Sequence, residues 1–301
     1  MAVRHKIGID VGGTKIAAIL LKSNDEVIKE KRIASPRNDY QKTVRTIQET
    51  VFELERGLPK KPSLGIGIPG SISPATSLVQ NANSTWLNGK PLADDLSVVL
   101  DREVRIENDA NCFALSEALD GVGRGHRMVF GVIIGTGCGG GLVFDRKLVT
   151  GPHAIAGEWG HNPLPWPSRE ELGAVECWCG KNDCIECWIS GTGMSADHLR
   201  NTNKNLEAKD IVSQARDRRQ PALDTFNRFL SRLARSLAQM VNIIDPDAII
   251  LGGGLSNINM IYEQLPQMMQ PYIFADHFKP RILKPQFGDA SGVRGAAHLW
   301  P

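Results

Sequence analysis

The 301-residue sequence predicts an α/β protein of two domains, and a repeated strand pattern carries this prediction. Residues 6–21 and residues 129–144 follow one plan: an apolar strand, a turn of glycine and threonine, and a second apolar strand. A further apolar strand, 248–251, runs into Gly252-Gly253-Gly254 after a long helical pattern. We expect residues 1–121 to form a small N-terminal α/β domain, joined by a C-terminal helix at 290–301. Residues 122–289 would form a larger α/β domain.

Composition limits the function classes. A net charge of +2 gives no general basic field, so nucleic acid is not expected as the main partner, whereas small anions stay possible ligands. The chain enters a strand pattern within a few residues of Met1, which is too short and too mixed for a signal peptide. No apolar run is long enough to span a membrane. These features predict a cytoplasmic protein.

The first hairpin turns through Gly12 and Gly13. The spacing of a P-loop is absent, but bare backbone N–H groups with Thr14 and Lys15 suit a phosphate chain. Asp10, at the end of the strand, could hold a hydrated Mg²⁺ ion. A plain hairpin with a Gly-Gly turn explains the same residues equally well.

Helical spacing predicts a helix over residues 40–58, which Gly57 and Pro59 end. A strand at 64–68 then enters a Pro-Gly turn with Gly70 and Ser71, a position that commonly faces a ligand. Residues 81–89 are rich in amides and hydroxyls, Asn83 among them, and could bind a polyol. Ordinary loop formation is the simpler explanation for most of them.

A strand at 104–108 ends in Asn108 and Asp109, which open a helix. The helix dipole favours the negative charge of Asp109 there, and a simple N-cap role accounts for the residue as well. Residues 121–125 are glycine-rich and are the candidate hinge between the domains.

The second hairpin offers Thr136 and Gly137 at its turn. Two related domains that present glycine turns to one cleft would clamp a nucleoside triphosphate. The backbone at Gly253 and Gly254 lacks side chains, so an adenine or ribose could lie against it.

The stretch 157–187 is the most informative part of the chain. Cys177, Cys179 and Cys184 share one short loop, and His161 lies upstream. In a reducing compartment such a cluster predicts a tetrahedral zinc site rather than disulfides. The spare Cys187 could replace one ligand, but a role as a small buried hydrophobe is favoured, and Cys112 and Cys138 are expected to be packing residues.

Two carboxylates, Glu158 and Glu186, bracket the zinc stretch, and a metal that folds the loop would fix both of them toward the cleft. Downstream, an apolar stripe from Phe226 to Ile244 predicts a helix with one core face. The arginines of this region are interpreted as a solvated face: Arg216, Arg218, Arg219, Arg228, Arg232 and Arg235. The C-terminal helix is rich in small residues, which predicts close packing.

Taken together, these segments resemble the ROK family of sugar kinases, within the actin/hexokinase/Hsp70 (ribonuclease H-like) fold superfamily. The matching segments span nearly the whole chain in family order. They are residues 10–15, 107–111, 135–137, 157–161, 177–186 and 252–254. The family's zinc loop more often has glycine before the third cysteine, where this chain has Asp183. Residues 70–74, 81–89 and 160–166 are most similar to the bacterial fructokinase, or manno(fructo)kinase, branch.

The resemblance implies a role for each matching residue. Asp109 is implied as the catalytic base. The implied sugar-binding residues are Gly70, Ser71, Asn83, Asn108, Asp109, Glu158, His161 and Glu186. The implied ATP and Mg²⁺ contacts are Asp10, Gly12, Gly13, Thr14, Lys15, Thr136, Gly137, Gly253 and Gly254. The implied zinc ligands are His161, Cys177, Cys179 and Cys184.

The activity implied is ATP-dependent phosphorylation of a hexose 6-hydroxyl, with fructose as the expected substrate and mannose second. An N-acetylglucosamine, N-acetylmannosamine or glucose kinase is the alternative within the family, because hydroxyl-binding side chains alone do not distinguish these sugars. The alternative that is not an enzyme is a binding protein that senses a sugar. The family's repressors carry an N-terminal DNA-binding domain for which this chain has no room. A homodimer is implied.

Overall fold

The computed structural model describes residues 5–277 and 279–300. The strands are β1 (Lys6–Val11), β2 (Lys15–Leu21), β3 (Val27–Ala34), β4 (Ser63–Ile68), β5 (Ser71–Ile72), β6 (Val79–Gln80), β7 (Arg105–Asn108), β8 (Met128–Ile134), β9 (Cys138–Phe144), β10 (Lys147–Val149), β11 (Ala248–Gly252) and β12 (Ile282–Leu283). The helices are α1 (Tyr40–Glu55), α2 (Leu92–Leu100), α3 (Asp109–Leu119), α4 (Glu186–Ile189), α5 (Gly191–Thr202), α6 (Ala208–Arg216), α7 (Ala222–Ile244), α8 (Asn259–Met269) and α9 (Ser291–Ala297). Both predicted hairpins, the helix at residue 40 and the buried strand at 248 are present.

Two five-stranded mixed sheets have the same plan. The first has the order β3-β2-β1-β4-β7, and the second has the order β10-β9-β8-β11-β12. In the first sheet, β2 pairs antiparallel with both β1 and β3. Strand β4 pairs parallel with β1 on one side and with β7 on the other. In the second sheet β9 and β10 are antiparallel, and β11 runs parallel to both β8 and β12. The internal repeat seen in the sequence is therefore a repeat of sheet topology.

The chain folds into two compact units. Unit 1 comprises Met1–Gly125, Gly141–Gly157 and Pro285–Pro301, and unit 2 comprises His126–Gly140 and Glu158–Lys284. The domain boundaries predicted from the sequence stay a prediction. They differ from these units mainly in placing residues 141–157 with the second half of the chain. In the part of the chain that the structure describes, no helix has the length and apolar character needed to cross a membrane.

The core of unit 1 forms between its sheet and helices α1 and α2. Helix α1 begins at its N-cap Asp39, whose carboxylate accepts a hydrogen bond from the backbone N–H of Lys42 at 2.9 Å. Its buried face carries Val44, Ile47, Val51 and Leu54 at helical spacing, and these side chains join the apolar residues of β1 and β4 in one cluster.

Helix α9 packs against α3, β1 and β4 so closely that glycine is required where they meet. A Cβ atom added at Gly295 would lie 1.7 Å from the carbonyl oxygen of Cys112. Added Cβ atoms at Gly8 and Gly65 would lie 2.0 and 1.9 Å from carbonyl oxygens of α9. The small residues of the C-terminal helix therefore serve the close packing that the sequence predicted.

We expect Gly295→Ala to lower the free energy of unfolding by about 3 kcal/mol, because the added methyl group meets backbone that can move only with the whole helix. Urea unfolding followed by circular dichroism measures the change. Arg45→Ala, on the exposed face of α1, is the control and should change the free energy by no more than about 0.5 kcal/mol. Equal stability of Gly295→Ala and the wild type would contradict this packing.

Candidate active site

In unit 1, the candidate residues gather at one edge of the first sheet. Strands β1, β4 and β7 are parallel, so their carboxyl ends meet at the same edge. The register aligns Asp10 with Gly67 and Gly67 with Glu107 across the three strands. The segments 10–15, 69–71 and 108–109 leave the sheet at this edge. Ligands bind at this position in open α/β sheets.

Asp10 has surroundings that suit a hydrated cation. Burial raises the pKa of its carboxyl group to about 6, against the opposing charge of Lys15 and with a smaller contribution from Asp289. Cβ atoms added at Gly67 and Gly292 would lie 3.7 and 3.3 Å from its two carboxylate oxygens. The absence of side chains there leaves room for water, and a carboxylate with retained waters is the donor set that Mg²⁺ prefers.

The Gly-Gly turn is held by its own backbone and by a neighbouring arginine. The N–H of Gly12 donates to the carbonyl of Lys15 at 2.9 Å, and Arg37 donates to the carbonyl of Gly13 at 3.1 Å. Thr14 and the Lys15 side chain are exposed, and Lys15 lies 3.6 Å from the carboxylate of Asp289. The turn thus presents a hydroxyl and an ammonium group next to Asp10.

Asn108 and Asp109 occupy the start of α3. The N-cap is Asn108, whose side-chain oxygen accepts from the N–H groups of Ala110 and Asn111, at 2.9 and 3.3 Å. Its amide nitrogen donates to the carbonyl of Gly70 at 3.2 Å, which ties the helix start to the turn after β4. Asp109 is the first residue of the helix, and its Oδ1 accepts from the N–H of Ala110 at 2.7 Å. Asp109 therefore is not the cap.

The remaining unit 1 candidates lie on the turn after β4 and the loop that follows β6. Gly70 has no space for a side chain, since an added Cβ would lie 2.6 Å from the carbonyl oxygen of Gln80. Ser71 is buried, and its Oγ accepts from the side chain of Gln80 at 3.1 Å. Asn83 is exposed, and its backbone N–H donates to the carbonyl of Pro69 at 3.2 Å.

Glu107 supports this site and was not among the residues predicted from the sequence. Its Oε1 accepts from the N–H of Asn108 at 2.8 Å and from the side-chain amide of Asn111 at 3.0 Å. Glu107 therefore braces the junction that presents Asp109. The sequence feature that could have indicated this role is a carboxylate at the second-last position of a strand that ends in polar residues.

In unit 2, the second glycine turn lies at the carboxyl ends of β8 and β11, which are parallel. The turn is closed by a hydrogen bond from the N–H of Gly135 to the carbonyl of Gly137 at 3.0 Å. Thr192, at the start of α5, donates to the carbonyl of Thr136 at 2.7 Å.

The backbone after β11 passes close to the end of β8. Gly253 has a positive φ of 81°, and an added Cβ would lie 2.5 Å from the carbonyl oxygen of Ile134. Gly254 has open space around it.

The four predicted zinc ligands converge. One ligand atom from each of His161, Cys177, Cys179 and Cys184 lies within 4.8 Å of all the others. The Sγ atoms of Cys179 and Cys184 are 3.6 Å apart, and the Sγ of Cys177 is 3.7 Å from His161 Nδ1. Tetrahedral zinc requires about 3.8 Å between two sulfurs and about 3.6 Å between sulfur and nitrogen, so the donor set fits this ion.

The other cysteines are buried or partly buried thiols. Burial raises the pKa of both Cys112 and Cys138 well above the usual range, so these two side chains stay neutral. Both are buried, as their isolated positions in the sequence predicted. Cys187 is partly buried and does not belong to the cluster of four.

Glu158 and Glu186 lie at the two ends of the zinc stretch. Burial raises the pKa of Glu158, His161 lowers it, and the charge of Glu186 raises it. Glu186 Oε2 accepts from the backbone N–H of Cys138 at 2.8 Å, and this bond joins the zinc stretch to the second glycine turn.

A buried ion-pair network attaches the zinc stretch to α7, and it corrects the interpretation of the arginines as a solvated face. Arg232 donates to Glu171 Oε1 at 2.7 Å, and Arg235 donates to both carboxylate oxygens at 2.9 and 3.0 Å. These three side chains are less than a tenth exposed. Burial alone would raise the pKa of Glu171, but hydrogen bonds from Arg235 and Arg232 lower it to about 2.

A third arginine of the helix, Arg228, donates to the buried carboxylate of Asp197 at 2.8 Å. Arg216, Arg218 and Arg219 are exposed, so the interpretation holds for that part of the set only. Sequence periodicity missed the pairing because Glu171 lies 61 and 64 residues before its partners, far beyond the reach of a local pattern.

Nearly the whole chain is similar to proteins of one known family. The model of the ROK family matches residues 6–301. This chain belongs to the ROK family. Curated relatives include the N-acetyl-D-glucosamine kinases of Yersinia enterocolitica and of Escherichia coli O1:K1. Each is 40% identical over 296 residues, covering 97% of this chain and 98% of the relative.

Solved structures of other ROK proteins confirm the predicted α/β fold. A ROK family glucokinase from Streptomyces griseus, in complex with glucose and AMPPNP, is 27% identical with a TM-score of 0.81, and 98% of each chain is covered. A ROK hexokinase from Thermus thermophilus reaches a TM-score of 0.87 at 24% identity, covering 97% of this chain and 96% of its own; this likeness supports the fold alone. The mixed sheets are those of the actin/hexokinase-like fold of ROK sugar kinases.

Proposed function

We propose that this ROK sugar kinase transfers the γ-phosphoryl group of ATP to the 6-hydroxyl of N-acetyl-D-glucosamine. One observation carries the choice of sugar: the 40% identity to N-acetyl-D-glucosamine kinases extends over 97% of this chain and 98% of the relative. The kinase reaction itself is supported by the candidate residues of both glycine turns and of the α3 start.

The expectation of fructose as the preferred substrate is not supported. It rested on the similarity of residues 70–74, 81–89 and 160–166 to the fructokinase branch, and those segments consist largely of loop residues. The curated relatives favour the alternative stated beside it, an N-acetylglucosamine kinase. A homodimer and a cytoplasmic location remain predictions.

The candidates for binding the sugar hydroxyls are the residues that the family resemblance implies. In unit 1 these are Asn108, Asn83 and the turn at Gly70 and Ser71. In unit 2 they are Glu158, His161 and Glu186. The Nδ1 of His161 faces the cysteine cluster, so its Nε2 is the nitrogen that can bond a hydroxyl.

Asp109 would accept the proton of the sugar 6-hydroxyl. The reference pKa of the aspartate side chain is about 3.9, so a free aspartate is ionised at neutral pH and is a weak base. A weak base suffices in phosphoryl transfer because the transition state is loose and the proton leaves late. The hydrogen bond from the Ala110 N–H occupies Oδ1, and the position at the N-terminus of α3 favours the charged form.

The phosphates of ATP would lie on the glycine turns. Backbone N–H groups at Gly12 and Gly13, with Thr14 and Lys15, suit the β- and γ-phosphates. Thr136 and Gly137 would contribute the second turn, and Gly253 and Gly254 a side-chain-free surface for the nucleoside. Mg²⁺ held through water by Asp10 would neutralise phosphate charge.

Zinc would be held by His161, Cys177, Cys179 and Cys184. All four positions of a tetrahedral site would then be filled by protein, so the role of the ion is structural. It would fix the loop that carries Glu186 and orient the imidazole of His161.

The substrate assignment is tested by a coupled assay of ADP release with magnesium ATP. The panel contains N-acetylglucosamine, N-acetylmannosamine, glucose, fructose and mannose. We expect the highest kcat/KM with N-acetylglucosamine. Fructose as the best substrate would restore the first expectation, and binding of a sugar without ADP release would favour the sugar-sensing alternative.

Asp109→Asn should abolish turnover and leave sugar affinity within about tenfold, or about 1.4 kcal/mol, because the amide keeps the shape and loses the base. The measurements are the ADP assay and calorimetric sugar binding. Asp101→Asn is the matched control, since it makes the same change at an exposed position and should keep full activity. Appreciable turnover by Asp109→Asn would exclude this residue as the base.

Elemental analysis of the purified protein should find one zinc ion per chain. Cys179→Ser should lose most of this zinc and lower the midpoint of thermal unfolding, because binding energy of a structural ion is folding energy. Cys187→Ser is the control and should retain the ion, since Cys187 lies outside the cluster of four. The reverse pattern would make Cys187 a ligand in place of Cys179.

A further inference from the structure

Trp178 lies in the zinc stretch between Cys177 and Cys179, and its side chain is 69% exposed. An exposed indole usually leaves its N–H to water. Here Nε1 donates a hydrogen bond to Glu186 Oε1 at 2.8 Å. Hydrogen bonds to an ionised carboxylate are stronger than neutral ones, so this contact restricts the Glu186 side chain.

The other oxygen of Glu186 is also held. Oε2 accepts from the backbone N–H of Cys138 at 2.8 Å, and a Cβ added at Gly137 would lie 2.7 Å from it. The carboxylate is therefore fixed at both ends, by the indole on one side and by the second glycine turn on the other.

Trp178 also contacts the imidazole of His161. The two rings meet edge to face, with centroids 5.0 Å apart and an angle of 87° between their planes. Two of the unit 2 groups proposed to bind sugar hydroxyls, His161 and Glu186, thus touch one exposed indole.

We propose that Trp178 is a positioning residue for the sugar: its N–H holds Glu186 in the orientation that accepts sugar hydroxyls. This inference rests on the proposed function, since it assigns Glu186 to the sugar. A carboxylate has about four acceptor sites, and the two hydrogen bonds to Trp178 and Cys138 leave about two for a ligand.

Without the indole contact, the Glu186 side chain would sample more rotamers in the free protein. It would lose that rotamer freedom when the sugar binds. That entropy opposes binding of the sugar in the ground state and in the transition state alike. Removal of the indole N–H should therefore raise KM and leave kcat nearly unchanged. Because Trp178 is exposed, water can replace part of the lost hydrogen bond, so the effect should be moderate.

Trp178→Phe tests the inference, because phenylalanine keeps an aromatic ring beside His161 and has no N–H. We expect KM for N-acetylglucosamine to rise about fivefold, kcat to stay within about twofold, and zinc to stay at one ion per chain. The same fivefold loss should appear in calorimetric binding of N-acetylglucosamine, which does not depend on turnover. Trp166→Phe is the matched control, since that half-exposed indole contacts the Tyr272 ring at a tilt of 38° and should tolerate the change.

Unchanged KM and unchanged sugar binding in Trp178→Phe would overturn the positioning role. Loss of zinc in parallel with loss of affinity would overturn it too, in favour of a structural role in the loop. Failure of the proposed function gives a different result: the wild-type protein itself would neither bind nor phosphorylate N-acetylglucosamine. Weaker sugar binding by Trp178→Phe, with its zinc intact and its kcat within about twofold of the wild-type value, supports the inference.

Discussion

The parallel pairing of strands is the constraint on which the candidate site depends. Parallel strands end at one edge of a sheet, and this brings together turns that are far apart in the sequence. In the first sheet the pairing of β1, β4 and β7 sets Asp10, Gly70 and Asp109 at one edge. In the second sheet the pairing of β8 with β11 does the same for the turns at Gly137 and Gly253. Glycine at the close approaches lets the backbone meet there without side-chain clashes.

Much of this arrangement is predictable from local patterns. The two hairpins, the amphipathic helices α1 and α7, and the grouping of His161 with three cysteines follow from periodicity and spacing, because each signal lies within a short segment. The hydrogen bonds that hold the site residues in place are not predictable from local patterns. Glu107 braces Asn108 through bonds that no motif encodes, and Trp178 resembles any exposed loop residue until its hydrogen bond to Glu186 is seen.

The arginines of α7 illustrate a similar limit. A helix with arginines between apolar residues normally exposes the arginines to solvent. Three arginines that precede α7 in the chain are exposed: Arg216, Arg218 and Arg219. Arg232 and Arg235 are buried where the carboxylate of Glu171, from a distant loop, reaches both of them. Asp197 also pairs with Arg232, and these partners compensate the cost of burying the two charges. Loss of Glu171 would leave Arg232 paired with Asp197 alone and Arg235 with backbone carbonyls alone. Breaking a buried ion pair is strongly destabilising, so we infer that this network fixes where the zinc stretch attaches to α7.

The close packing of α9 bears on the order in which the protein folds during synthesis. The helix lies against β1, β4 and α3, all of which a ribosome produces before residue 120, yet α9 itself begins at residue 291. Until that helix emerges, the sheet surface around Gly8 and Gly65 lacks the helix that covers it in the folded protein. Unit 2 comprises His126–Gly140 and Glu158–Lys284, so all of its segments are synthesised before α9. A nascent chain can therefore complete the later unit while the earlier one still waits for its last helix, the reverse of the usual N-terminal-first order.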